Sequence, residues 1–370
     1  MSERSERGPA RPSLVAPVAD EGDHVSEPSD GRAGLPGQAA EASAGARGWR
    51  GALVARWRGI AVVALLAVAI YAPFELVPFR VFQFTMVLVY AVALIGLNLL
   101  VGHAGQISLG HGAFFAVGAY TTAIMFDRWD VPYPLTLPAA AALAFVLGWA
   151  FGLPAVRLHG LYLALVTLAI AIFLVPLLKR FESVTGGSMG LTLAKPAPPA
   201  WTGLAPDQWL YFLALAVTVV AVLLARNLLR SRVGRAMRAV RDNEAAAEVM
   251  GVRLAFYKTL AFAWSAMFAG AAGCVYTWVI GFVSPDSFAV TLSITLLAGL
   301  VVGGLGSPAG PLLGGLFVMF VPSLSQDVNE AAPGVVFGLL IIAVMYVAPT
   351  GLAGLAGRAA RTIGRTLRRE

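Results

Sequence analysis

From about residue 59 onward the chain alternates long apolar runs with short polar or Gly/Pro-rich breaks. The runs fall at 59–77, 81–100, 107–126, 135–156, 160–178, 209–226, 259–281, 288–305, 309–324 and 334–350. About 20 apolar residues cross the hydrocarbon core as a helix, and lipid forces each backbone group to find its partner inside the protein. The pattern predicts an all-α polytopic membrane protein with about ten membrane segments, eight to ten of them true spans. The ninth, 309–324, is dense in Gly, Pro and Ser and reads as short, broken or re-entrant.

Composition agrees: 58% of residues are hydrophobic and 13% charged, against roughly 45–50% and 25% in an average soluble domain. The net charge of +7 is unevenly spread, since residues 1–45 carry eight acids and four arginines. The basic residues elsewhere gather at the edges of apolar runs, which is a topological signal, so no nucleic acid partner is expected. Residues 1–50 have no periodic apolar face and are predicted to be a disordered cytoplasmic tail. The first apolar run starts too far in for a signal peptide and is expected to stay as a span. Cys274 is the one cysteine, so no disulfide within the chain is possible, and it reads as a small buried hydrophobe.

Arginine clusters set the orientation. Arg47, Arg50, Arg56 and Arg58 precede the first span, and Arg358, Arg361, Arg365, Arg368 and Arg369 follow the last. Both termini are therefore predicted to be cytoplasmic, with 59–350 as the transmembrane domain and 351–370 as a basic cytoplasmic tail. The loop 182–208 falls outside. Lys179 and Arg180 go against the rule at the outer end of the fifth span.

The spans lack Asp, Glu, Lys and Arg near their centres, so the sequence offers no proton relay or voltage sensor. Charge is concentrated instead in Arg226–Lys258, with eight Lys/Arg and the acids Asp242, Glu244 and Glu248. The stretch follows six spans and is placed inside, as a cytoplasmic loop over 227–258. Val233, Met237, Val240, Ala247 and Met250 recur at helical spacing as an apolar stripe, with Arg235, Arg238 and Arg241 around the rest. Asp242 and Asn243 are candidate caps between two short helices, and Gly251 ends the second. Two readings stay open: an interfacial helix on anionic lipid, and a docking helix for a cytoplasmic partner, which the compact alternating charge favours.

Two glycine-rich stretches break the helical pattern. In the first, Asn98, Gly102, Gln106, Ser108, His111 and Gly112 form a polar interruption whose backbone can approach neighbours or a small polar solute. The equally weighted alternative is a tight loop followed by a helix-packing face. In the second, Gly299 with Gly303, Gly306 with Gly310 and Gly310 with Gly314 make small-xxx-small faces beside Gly304, and Pro308 and Pro311 interrupt any long helix. It lacks the Lys-Ser/Thr ending of a phosphate loop, which argues against a nucleotide site on this chain. The spacing of His, Asp and Glu supports no metal site.

Five stretches carry a family resemblance in order: Ser108-Leu-Gly-His-Gly-Ala-Phe114 within Gly102–Tyr120, Leu161–Ala169, Thr185–Leu191, Gly234–Gly251 and Gly303–Pro311. Over roughly residues 60–350 the chain resembles the LivM-type permease subunits of high-affinity branched-chain amino acid ABC importers. The resemblance implies a bacterial plasma (inner) membrane permease. It would pair with a LivH-type second permease, two cytoplasmic ATPase subunits and an extracytoplasmic substrate-binding protein. ATP and magnesium would sit in the ATPases, so this chain would bind no cofactor and would not be an enzyme. A coupling helix would meet the ATPase through Arg235, Arg238, Arg241, Asp242, Glu244, Ala245, Ala246 and Gly251; Glu244-Ala-Ala followed by Gly251 resembles that family signature with one extra residue before the glycine. Branched-chain or other neutral amino acids would be the cargo. Permeases of urea or short amides are similar in sequence, and a carrier or channel working without ATPases is the alternative from another class.

Overall fold

The computed structural model describes residues 63–64, 66–155, 158, 160–326, 333–348, 350–355 and 358. The expectations for 1–50 and for most of 351–370 lie outside the described residues. The elements below belong to the unit that begins at Leu66.

The helices are α1 (Leu66–Glu75), α2 (Pro78–Leu97), α3 (His111–Trp129), α4 (Tyr133–Ala155), α5 (Leu161–Arg180), α6 (Glu182–Thr185), α7 (Pro206–Arg230), α8 (Arg232–Asp242), α9 (Glu244–Val249), α10 (Leu254–Ile280), α11 (Val290–Gly303), α12 (Gly310–Gln326) and α13 (Pro333–Val347). Seven helical segments among the described residues are long and apolar enough to cross a membrane; α1 and α12 are shorter apolar helices. The protein is thus an all-α polytopic membrane protein.

The core is built on α2 and α10, which are buried along most of their length and pack on one another. Small residues explain how α10 also reaches α3 and α4. A Cβ on Gly118 would stand 1.9 Å from the Gly270 carbonyl oxygen, and one on Gly273 would stand 1.9 Å from that of Phe115. Backbones this close maximise van der Waals contact in a medium where apolar burial alone gives little drive for helix association. Phe115, Tyr276 and Phe288 close one end of this packing as tilted and edge-on ring pairs. By contrast α5, α7 and α13 leave most of their apolar surface exposed, as lipid- or subunit-facing helices do.

The two breaks take different forms. α2 runs into a π-helical turn over Asn98–His103, then residues 105–110 are irregular, with Gly105 at positive φ. His111 begins α3 with Nε2–H donating to the Ala93 carbonyl at 2.9 Å. Since Ala93 lies ten residues before His103, or about 15 Å along a helix, the irregular segment turns back beside α2 and α3 starts partway along it. Residues 107–110, counted above within an apolar span, are therefore not helical. Hydroxyls stand in for the missing helical carbonyls: Thr167 Oγ1 accepts from Leu109 N at 2.9 Å, and Ser293 Oγ from Gly112 N at 2.9 Å. The second break is the turn 304–309 between α11 and α12, where Gly304 and Gly306 have positive φ.

On the side carrying loop 182–205, a two-stranded antiparallel ribbon pairs Leu191 with Val283 and Thr192 with Phe282. Lys179, one of the two residues at odds with the charge rule, is bound to Asp286 at 2.8 Å. Its charge is matched locally by that carboxylate.

Candidate functional site

The charged stretch folds as two short helices anchored to the end of α7. Ser231 caps α8: its Oγ accepts from Val233 N at 3.2 Å and donates to the Leu228 carbonyl at 2.7 Å. Gly234 has no side chain because a Cβ there would stand 2.4 Å from Leu229 Cα. Met237 and Val240 are buried, which seats α8 on the membrane domain. Asn243 separates the helices in an extended conformation, and its Oδ1 accepts from Ala246 N at 3.0 Å. α9 ends in paired bonds from Gly251 N to the Glu248 carbonyl and from Val252 N to the Ala247 carbonyl. That closure requires a left-handed residue, and Gly251 supplies it at φ +81°.

The arginines are spent largely on the chain itself. Arg235 Nη1 donates to the Arg230 carbonyl at 3.0 Å, and Arg238 Nη2 to the Leu229 carbonyl at 3.2 Å. These are among the last carbonyls of α7, which have no helical partner. Arg241 Nη1 donates to the Gly102 carbonyl in the π-helical turn. Glu244 is ion-paired at 2.6 Å with Lys258, a residue only 5% exposed in the first turns of α10. Asp242, Ala245, Ala246 and Glu248 are exposed.

One element of the apolar stripe is corrected. Met250 is 81% exposed and Val249 87%, whereas Ala247 is buried. Helical spacing places Met250 below Ala247, but α9 ends at Val249 and Met250 is its C-cap residue, so the side chain no longer follows the buried face. The surface left by α8–α9 thus combines acids with two solvent-facing apolar side chains.

The glycine breaks come together beside this segment. Asn98 Oδ1 accepts from Gly306 N at 2.8 Å, and its Nδ2 donates to the Ser307 carbonyl at 3.0 Å. Gly102 lies against the same turn, where a Cβ would stand 2.7 Å from Gly306 N. Gln106 Nε2 donates to the Lys258 carbonyl at 3.2 Å. Gly303 faces Gly310 and Gly314, and Gly304 packs against Thr350 and Ala353. Ser108, His111 and Gly112 lie apart from this cluster, along the irregular segment and the start of α3. Sequence reasoning missed Lys258, a lone lysine at a membrane edge, and the partner hydroxyls of Thr167 and Ser293; no spacing signal links these residues to their partners. Among the described residues no group of His, Cys, Asp or Glu is arranged to hold a metal ion.

The structure thus defines a polytopic helical membrane protein with broken apolar helices and a capped, charged helix pair between α7 and α10. Residues 80–348 match the family model described as "Branched-chain amino acid transport system / permease component". The chain is 33% identical over 314 residues to the LivM permease protein of the high-affinity branched-chain amino acid transport system of Escherichia coli, covering 79% of this chain and 74% of that protein. It is 27% identical over 282 residues to the LivH permease protein of Salmonella typhimurium, covering 72% and 91%. To the BraD permease protein of Pseudomonas aeruginosa it is 25% identical over 287 residues, covering 72% and 91%. The chain belongs to the branched-chain amino acid transport permease family.

Proposed function

We propose that this chain is a transmembrane permease subunit of an ATP-driven importer in the bacterial plasma membrane. With a second, LivH-type permease it forms the pathway for branched-chain or other neutral amino acids delivered by an extracytoplasmic binding protein. Two cytoplasmic ATPases bind and hydrolyse ATP with magnesium; this chain performs no chemistry. The observation carrying this reading is the α8–α9 pair, braced from within and presenting Asp242, Ala245, Ala246, Glu248, Val249 and Met250 outward. An interfacial lipid helix has no use for acids on its free face, whereas a groove on a partner protein does. Arg235 and Arg238, also exposed, flank that surface on α8, and the partly buried Glu244 lies at its base. Family membership and the match to both LivM and LivH support the pairing of two related permeases. In this reading eight to ten of the segments cross the membrane, both termini and 227–258 are cytoplasmic, and 182–208 is outside. The helix junctions at Ser108–Gly112 and Gly303–Gly310 are packing and hinge points along the route.

The test is uptake into proteoliposomes holding this chain, its permease mate and both ATPases, with binding protein added outside. Radiolabelled leucine should accumulate only with ATP inside, and labelled urea should not. Urea uptake would move the cargo to urea or amides, and uptake without ATP would replace the importer reading with a carrier or channel. Orientation is checked in a Cys274→Ala background. An impermeant thiol reagent on intact cells should label Ser188→Cys but not Ala245→Cys, both exposed positions; labelling at Ala245→Cys would place the docking surface on the wrong face.

A further inference from the structure

We propose that Lys258 and Arg241 are positioning residues that tie α8–α9 to the break in α2, so that displacement of the helix pair is passed to the turn 304–309. This rests on the reading of α8–α9 as the coupling segment.

Lys258 joins three elements at one residue. Its ammonium meets Glu244 of α9 at 2.6 Å, and its own backbone carbonyl, on α10, accepts from Gln106 of the irregular segment before α3 at 3.2 Å. Both Lys258 and Gln106 are buried, at 5% and 6% exposure. A buried ammonium is costly without its counter-charge, so α9 cannot move away from α10 without either taking this contact along or paying desolvation. Arg241, at the end of α8, makes the second tie. Its guanidinium holds the Gly102 carbonyl, and its stem lies against Gly105, where a Cβ would stand 3.1 Å from Arg241 Cγ.

From the π-helical turn the connection continues through Asn98, whose amide spends both its donor and its acceptor on the backbone of Gly306 and Ser307. Gly102 keeps this joint tight, since a Cβ would also stand 2.3 Å from Asn98 Oδ1. Apart from the ion pair, each link ends on a main-chain atom of the next element. A side-chain acceptor can rotate away under load; a main-chain acceptor moves only with its segment. The contacts therefore form a physical route between two places where the helices are already broken and the backbone is free to re-form.

The experiment uses the full complex in inside-out vesicles. In a Cys274→Ala background, Ser307→Cys reports the turn through its rate of maleimide labelling, with and without nucleotide trapped by vanadate. Nucleotide trapping should change the parent's rate several-fold. The double variant Lys258→Met with Glu244→Gln removes both charges of this pair, so no buried ammonium is left without its counter-charge. Because Glu244 belongs to the docking segment, labelling is read only in complexes that have trapped nucleotide; there the variant should lose the change in labelling, and Lys258→Arg should keep it. Arg241→Met, at an exposed side chain, should also lose it and serves if the double variant fails to assemble. A nucleotide response equal to the parent's in either neutralised variant overturns the proposal, as does a parent that traps nucleotide without any response. Failure of the parent to bind ATPases would instead defeat the coupling reading itself, and this proposal with it.

Discussion

Gly303→Ala tests whether the second glycine stretch is a packed joint. A Cβ at this position would stand 2.1 Å from the Gly310 carbonyl oxygen and 2.8 Å from Gly314 N, below the 3.0 Å that real Cβ contacts respect. Both neighbours are backbone, so no side chain can swing aside and α12 must shift by about 1 Å. The shift is opposed by the next contacts in the same seam: Gly299 against Val318, and Gly310 against the Gly304 carbonyl. Overpacking at one site costs about 1–3 kcal/mol, and a backbone-only clash belongs near the top of that range. Replacing a helical glycine returns at most about 0.5–1 kcal/mol of chain entropy, and less at Gly303, the last residue of α11. The net expectation is a loss of about 2 kcal/mol. Gly338→Ala is the matched control, because nothing lies within 4 Å of its added Cβ; it should be neutral or stabilising by up to about 1 kcal/mol. The assay is thermal unfolding of the detergent-purified chain, where 2 kcal/mol lowers the midpoint by roughly 3 °C for a chain of this length. A midpoint for Gly303→Ala at or above wild type would show that α11 and α12 are not in close contact there.

Two further outcomes follow from the caps and the outer ion pair. Asn243→Ala removes the bond to Ala246 N and should cost about 1 kcal/mol; in a six-residue helix that loss should appear as faster hydrogen exchange of the amides at 246–250, and unchanged exchange would mean that docking on the membrane domain alone holds α9. Asp286→Asn breaks a pair whose partners are 36% and 66% exposed, so it should shift stability by no more than about 1 kcal/mol, and a large drop in the melting midpoint would reveal the pair as a structural clasp.

Much of this protein was legible in its residue order. The lengths of the apolar runs, the arginines flanking them and the lack of charge at their centres specify a polytopic helical membrane protein, because lipid leaves the backbone few alternatives. Local chemistry likewise marks the junction at Asn243 and the stop at Gly251, since a side-chain cap and a left-handed glycine act within a few residues. What the tertiary structure alone decided is which groups meet across long separations. Asn98 finds the backbone of Gly306 and Ser307 more than 200 positions away, Lys258 finds Gln106, and His111 folds back to Ala93. The arginines of the charged stretch have a use the sequence does not show, since their targets are carbonyls at the end of α7 and in the π-helical turn. Met250 departs from the stripe because periodicity fixes a face only while the helix continues, and α9 ends at Val249. Pattern along a chain records which residues must leave water or lipid, whereas the choice of partner depends on how helices cross, and that is set by the close backbone contacts of Gly118, Gly270, Gly273 and Gly303 acting together.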